Sequence, residues 1–467
     1  VANCDSEAEA LTHLNAERAD IAIGKISHRF VPETYRQMGL DSLLRPTGVV
    51  VVGASQDPTK AGNALMRNLG AFPGVVEGIG RSHAMVDGRN ILDSVDELDS
   101  TVDLAIVAVP SKAVPSALEQ LAGRGVRAAV VCSGGFAETG EQEGIELQAD
   151  LDRVRQRSGM RILGPNTSGI AVPPIGLHAS FVPAATELCS GSVAVLAQSG
   201  GVAHATALAL HAEGIGVAAM IGTGNACDID LPELTRSFAA NGDCSVIALH
   251  LEGSTHGQDL LEAIKRASES VPVVVLKSGV SDVDRLSVSH TGALTGDWST
   301  ASALLAEAGA VVVATLGELV DAVAVMTLAR LEVQQDSDGV GVVTGQAGPG
   351  ILLTDRLQTL GLRVPDLTAT TTEKLHDILP ALTHRQNPVD TGRPGEDFAD
   401  VVTAVAGDPK IAAIATYVLL EPGAVDFVAH LKKAREQHAK PIVASSNGID
   451  SEILLARDEL RSSGIPL

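Results

Sequence analysis

The sequence predicts an α/β protein built on doubly wound, mostly parallel sheets. Three observations predict it. Strand-length runs rich in Val, Ala and Ile recur along the chain, most of them closed by a turn containing Gly or Pro. Helical stretches alternate with those runs, which is the βαβ rhythm. Aromatic residues make up only 2% of the chain while glycines number 47, so the core must be aliphatic and the turns tight.

The elements follow in order. Residues 1–40 carry no strand signal; ALTHLNAER predicts at most a short helix, and the segment reads as an N-terminal extension. A first unit spans 41–180. TGVVVVGAS is a buried strand ending in Gly53 and Ser55, AGNALMRNLGAF a helix, and VDLAIVAVP (102–110) a strand closed by Pro110. SKAVPSALEQLAGRG is a helix closed by Gly, and RAAVVCSGGF (127–136) and RILGPNTSGI (161–170) are strands with their turns. After a Pro-rich, polar stretch near 173–190 the pattern restarts as a second unit, 181–335. It holds GSVAVLAQSGG and its helix, VAAMIGTGN, DCSVIALHLEG, VPVVVLKSG and VVVATLGELVDAVAVMTLARL. The polar VQQDSDG (333–339) reads as a linker to a third unit, 336–467, with GVGVVTGQAGPG, a helix, and the strands IAAIATYVLL and KPIVASSNG. A length of 467 residues suits about three domains.

Composition excludes several functions. A net charge of −23 argues against nucleic acid and against an anionic membrane surface as partners. The apolar runs are too short to span a bilayer, and the polar start VANCDSEAEA is no signal peptide. The five cysteines (Cys4, Cys132, Cys189, Cys227, Cys244) are scattered, with no CxxC and no Cys/His ligand spacing. That predicts a reduced, cytoplasmic protein without a metal site.

Ligands of open α/β sheets bind beyond the carboxyl ends of the strands. Here those ends read GASQDP (53–58), VPSKAVP (109–115), SGGF (133–136), GPNTSG (164–169), QSGG (198–201), GTGN (222–225), HLEG (250–253), KSG (277–279) and GQAGPG (345–350). Small residues let backbone amides approach an anion at a helix N-terminus. Read singly, each such turn is more readily a packing device; read together in the first unit, they indicate a nucleotide-like ligand. VVGASQDPTKAGN lacks the G-x-G-x-x-G spacing that NAD requires, and no P-loop is present. In QSGG, Gln198, Ser199, Gly200 and Gly201 form a phosphate cradle, with Ser199 as the cap. Glu252 ends a buried strand, where a carboxylate is either structural or holds one nitrogen of a histidine ring. His290, one of 13 histidines, lies among small residues in LSVSHTGALTG; it is either a plain loop histidine or a mobile carrier.

Those motifs, in this order, resemble the NDP-forming acyl-CoA synthetases, the family of ADP-forming acetate–CoA ligase and, more distantly, of the succinyl-CoA synthetase alpha subunit. GASQDPTKAGNALMRNL, VDLAIVAVP, SGGFAETG, GPNTSG, QSGG, GTGNACDID, LEG, KSG and SHTGALTG carry the resemblance, and GQAGPG and QNPVD (386–390) extend it over about 42–467. It implies a CoA-binding Rossmann-like domain followed by two flavodoxin-like domains. By the SHTGA match His290 is the phosphocarrier; Glu252 orients its ring, and the Gln198–Gly201 turn holds phosphate. Coenzyme A, as substrate, lies along Gly53, Ser55, Gln56, Asp57, Pro58, Lys60, Val109, Pro110, Ser133, Gly134 and Asn166, with Arg67 as a further phosphate partner. ATP or ADP and Mg²⁺ come with an ATP-grasp partner subunit or domain, in an oligomer. The sequence departs from the family at Ser287-Val288 before SHTGA, at Ala226-Cys227, and at Gln346-Ala347, which bears on acyl specificity. Other readings are a CoA-binding regulatory module, a nucleotide-independent acyl or carbamoyl transferase, and a Rossmann-type oxidoreductase.

Overall fold

The computed structural model describes residues 33–81, 83–242, 244–253, 256–279, 297–329, 337–420, 426–438, 440–448 and 450–467. The chain divides into two compact units, Val1–Leu319 and Val320–Leu467. The first contains two seven-stranded sheets and the second a four-stranded sheet.

The first sheet is made of β1 (Gly48–Val52), β2 (Val75–Ile79), β3 (Ala84–Val86), β4 (Arg89–Leu92), β5 (Leu104–Val107), β6 (Ala128–Val131) and β7 (Arg161–Leu163). Their order is β3-β4-β2-β1-β5-β6-β7, parallel apart from the β3–β4 hairpin. Strands β1, β5 and β6 are buried along their whole length, as runs like VVVV require of strands covered on both faces. Helices α1 (Glu33–Leu44), α2 (Ala61–Asn68), α3 (Val114–Gly123) and α4 (Gln142–Ser158) belong to this layer. Helix α1 reaches back into the stretch that reads as an extension. Its Leu40, Leu43 and Leu44 are buried, and at Gly39 a Cβ would come within 2.2 Å of the Arg161 side chain.

The second sheet is β8 (Gly169–Val172), β9 (Leu177–Ser180), β10 (Ser190–Ala197), β11 (Val217–Gly222), β12 (Val246–Leu251), β13 (Val273–Lys277) and β14 (Val311–Val313). Its order is β14-β13-β12-β10-β11-β8-β9. The five strands from β14 to β11 form a parallel, flavodoxin-like sheet whose strand order reverses at β10. The β8–β9 hairpin pairs antiparallel with β11. Residues 169–180 therefore complete the second sheet, whereas the sequence pattern extends the first unit to 180. Two four-residue strands around a Pro-Pro turn carry too short an apolar pattern to declare which sheet they join. Helices α5 (Gly200–Ala212), α6 (Leu231–Ala240), α7 (Gly257–Ser268) and α8 (Trp298–Glu307) complete this part. One continuous aliphatic cluster, from Leu40 through Leu177 to Ala310, runs across both sheets of this unit.

In the second unit, β15 (Gly339–Thr344), β16 (Val389–Asp390), β17 (Ile411–Leu420) and β18 (Ile442–Gly448) form a parallel sheet in the order β16-β15-β17-β18. Its separate core gathers Phe398, Val402, Leu431 and Ile442. Among the described residues, no helix is long and apolar enough to cross a membrane.

Candidate functional site

The first sheet ends in a cleft of about 760 Å³ at the carboxyl ends of β1, β2 and β5. Gly53, Ser55, Gln56, Asp57 and Lys60 line one side, Val109 and Pro110 another, and Gly80 and Arg81 the rim. The sequence builds this hollow with glycine. Gly53 has φ +96°, and a Cβ on Gly62 would lie 1.9 Å from the Gly53 carbonyl oxygen, so α2 starts in contact with the turn. Internal hydrogen bonds shape the turn. Asp57 N donates to Ser55 Oγ at 3.1 Å, and the Asp57 carboxylate accepts from Thr59 Oγ1 at 2.7 Å and Thr59 N at 2.9 Å. Those bonds hold the Asp57 carboxyl below its ordinary value. Asn63 Nδ2 donates to the Ser55 carbonyl at 2.9 Å. Pro58 is exposed beside this turn, and Arg67 faces Asp87 at 4.0 Å rather than lining the cleft.

Ser133, Gly134 and Asn166 come together next to it. Ser133 Oγ donates to the Val109 carbonyl, and Asn166 N donates to the Ser133 carbonyl at 2.9 Å. Asn166 is left-handed, with φ +62°. The β6–α4 turn that holds Ser133 and Gly134 continues into Ala137 and Glu138, which line a second cleft.

This second cleft, of about 370 Å³, lies within the first unit and is lined by residues from the layers of both sheets. Ala137, Glu138 and Gln148 come from the first sheet's layer; Gln198, Thr223–Cys227, Asp230, Leu251 and Gly253 come from the strand ends of the second. Asn225 joins the two sides: its Nδ2 donates to Glu138 at 2.6 Å and to Gln148 at 2.9 Å. Glu138 also accepts from Gly135 N at 2.6 Å and Phe136 N at 3.1 Å. Burial raises the Cys227 thiol well above its ordinary value, so it forms neutral wall rather than a nucleophile. A buried ionic cluster holds this loop on β7. Arg161 bonds Asp228 at 2.8 Å and Glu233 at 2.6 Å, and Arg155 lies 3.7 Å from Asp228. Burial opposes the Arg161 charge, but hydrogen bonds and attraction from Glu233 and Asp228 outweigh it and raise its pKa.

At the QSGG turn, Ser199 caps α5, its Oγ accepting from Val202 N at 3.4 Å. Gly200 has no room for a side chain, since a Cβ would lie 2.2 Å from Ser168 Oγ, whereas Gly201 is more open. Beneath the turn, His204 Nδ1 donates to the Gly200 carbonyl at 2.8 Å, and its Nε2 lies 3.0 Å from Ser180 Oγ. The Gln198 side chain is tied to the neighbouring corner. Its Oε1 accepts from Glu252 N at 2.5 Å and Gly253 N at 3.1 Å, and its Nε2 donates to the Gly253 carbonyl at 2.6 Å. The side chain of Gln198 thus fastens the corner after β12. Glu252 stands on that corner, and its Oε2 is buried with no hydrogen-bond partner among the described residues. His290 lies outside the described residues.

The SGGF and GTGN turns stand out in the sequence, but Glu138, Gln148 and Asn225 do not stand out as a set. A pairing across 87 residues has no local pattern to announce it.

Two domains of known type match this architecture. Residues 47–173 match a CoA binding domain, and residues 190–326 a succinyl-CoA ligase like flavodoxin domain. Over 442 residues the chain is 32% identical to the acetate–CoA ligase (ADP-forming) II subunit alpha of Pyrococcus furiosus, covering 91% of this chain and 94% of that subunit. The chain belongs to this family of ADP-forming acetate–CoA ligase alpha subunits. Within the family, acetate–CoA ligase (ADP-forming) I of Archaeoglobus fulgidus is 31% identical over 91% of this chain but only 61% of its own length. A structure of the dinucleotide-forming acetyl-coenzyme A synthetase 1 of Ca. Korarchaeum cryptofilum, in complex with phosphate and ADP, superposes with a TM-score of 0.82 at 26% identity, covering 91% of this chain and 95% of that one. A crystal structure of a Pyrococcus horikoshii protein does so with a TM-score of 0.80 at 29% identity, over 91% and 94% of the two chains.

Proposed function

We propose that this chain is the alpha-type part of an NDP-forming acyl-CoA synthetase, interconverting acyl-CoA, phosphate and ADP with carboxylate, CoA and ATP. The observation that carries the reading is the convergence in one unit of the Gly53–Lys60 cleft, the capped QSGG helix start and the buried Glu252 carboxylate.

CoA lies in the first cleft along Gly53, Ser55, Gln56, Asp57, Lys60, Val109 and Pro110, with Pro58 beside the turn. Lys60 and Arg81 supply positive charge for its phosphates. The thioester reaches the second cleft past Ser133, Gly134 and Asn166. A phosphate oxygen attacks the thioester carbonyl carbon, the C–S bond breaks, and CoA leaves as the thiolate. The acyl phosphate so formed is attacked at phosphorus by a neutral ring nitrogen of His290; the P–O bond to the acyl group breaks and the carboxylate departs. The phosphoryl group then passes to ADP. Amides of Ser199–Gly201 at the start of α5 stabilise the phosphoryl oxygens. Glu252 accepts from the other ring nitrogen of His290, fixing the tautomer that attacks. Gln198 contributes by holding Glu252 in place. ADP and Mg²⁺ come with an ATP-grasp partner, and the assembly is an oligomer. The free thiols of Cys132, Cys189, Cys227 and Cys244 suit a cytoplasmic location.

The test is turnover with an ATP-grasp partner present. His290→Ala abolishes acyl-CoA formation while leaving CoA binding unchanged; wild-type-like activity in that variant overturns the reading.

A further inference from the structure

Lys277 is a buried charge close to the proposed site to which the reaction as derived gives no task. Lys277 ends β13, and only 2% of it is exposed. Removing an ammonium from water is expensive unless strong partners replace the hydration shell. Lys277 Nζ donates to the backbone carbonyl of Glu252 at 2.9 Å and to that of Ser278. Its own carbonyl accepts from Trp298 Nε1 at 2.9 Å.

The place of these bonds gives them meaning. In the sheet, β12 runs between β10 and β13. Glu252 follows β12 directly. From the β10 side, Gln198 takes the Glu252 N–H; from the β13 side, Lys277 takes the Glu252 carbonyl. Both backbone polar groups of this one residue are therefore held by side chains from the two neighbouring strands. The backbone from which the Glu252 carboxylate projects is held on both sides, and its Oε2 is buried. An ammonium suits the second hold because it fans three donors from one atom and can bridge carbonyls of two segments.

We infer that Lys277 is a positioning residue for the proposed reaction, acting through Glu252. The inference rests on the function proposed above. Through the Glu252 carbonyl Lys277 fixes the backbone that carries the carboxylate proposed to orient the phosphocarrier ring.

The test compares Lys277→Met, Lys277→Gln and Glu252→Gln with the wild-type chain. It measures the rate at which labelled inorganic phosphate, supplied with an acyl-CoA, enters His290 across pH, alongside CoA binding by calorimetry. Lys277→Met binds CoA within about twofold of wild type but labels on the order of 10- to 100-fold more slowly, as misplacement of an orienting group does. The pH profile carries the distinction from a merely structural loss. A well-aimed carboxylate raises the pKa of the ring it holds, so a loosened Glu252 lets that pKa fall and moves the acid limb of the profile to lower pH. Glu252→Gln moves the limb in the same direction, and Lys277→Met adds little on top of it. Lys277→Gln, which keeps a neutral donor, falls between, and it decides by the same criteria if the Met variant fails to fold. A Lys277 variant that labels at the wild-type rate overturns the inference and leaves the function standing. So does slow labelling with an unmoved acid limb, or an effect fully additive with Glu252→Gln. A wild-type chain that takes no label even with an ATP-grasp partner added overturns the function and this inference together.

Discussion

Gln198 and Glu252 lie 54 residues apart and meet at the ends of adjacent strands, with Glu252 N donating to Gln198 Oε1 at 2.5 Å. Glu252 is thereby an aimed carboxylate rather than one projecting from a loose turn. Gln198→Leu keeps the volume and removes the bonds. It is expected to slow phosphate labelling of His290 by about 10- to 100-fold with little change in CoA affinity. Single-turnover labelling beside CoA calorimetry checks this.

The loop carrying Asn225 depends on a buried ion pair. Arg161 and Asp228 are both almost fully buried, and Asp228 also accepts from Ile162 N at 2.9 Å. Asp228→Ala leaves the buried guanidinium paired with Glu233, removes the acceptor of Ile162 N as well, and is expected to cost about 3 kcal/mol, the low end for a broken buried pair. Urea unfolding of the two proteins measures it. Replacing Arg161 and Asp228 together by apolar residues should cost less than the Asp228 change alone.

Gly62 is required by contact rather than by its φ. A Cβ at this position would stand 1.9 Å from the Gly53 carbonyl oxygen, so Gly62→Ala must push α2 away from the β1 turn. The expected result is a loss of about 1–3 kcal/mol in stability. CoA binding should weaken as well, because the same turn lines the cleft. Gly70→Ala, where a Cβ meets nothing within 4 Å, is the matched control.

Two buried histidines give the stability a pH dependence. Burial lowers the pKa of His204 and of His178, each against a partly offsetting hydrogen bond to a backbone group. The unfolded chain then binds more protons than the folded one below the ordinary histidine value of 6.5. Stability is full above that value and declines as pH falls from 6.5 toward the lowered folded values. Unfolding midpoints on either side of that value should show the decline, and His204→Gln should reduce it.

Much of the fold is legible in the sequence because β1, β5, β10, β12 and β13 carry aliphatic runs of four or five residues that the sheets bury. The hairpins are not. β3–β4 and β8–β9 have strands of three or four residues, and β16 has two, too few to show a period. The candidate site divides in the same way. Ser199 and Glu252 stand at strand ends, where a local motif marks them. Glu138 with Asn225, and Lys277 with Glu252, are pairings between distant segments, and only the strand order brings them together. Gln198 is marked by its motif, yet its bond to the neighbouring corner depends on β12 lying beside β10.

The most direct measurement is phosphate incorporation. The chain is incubated with labelled inorganic phosphate, Mg²⁺ and a panel of acyl-CoAs, and acid-labile, base-stable label is counted on the wild-type protein and on His290→Ala. Label on the wild type that requires both an acyl-CoA and His290 is the expected result. Label that persists in His290→Ala, or a wild-type chain that takes none with any acyl-CoA, even when an ATP-grasp partner is added, contradicts it.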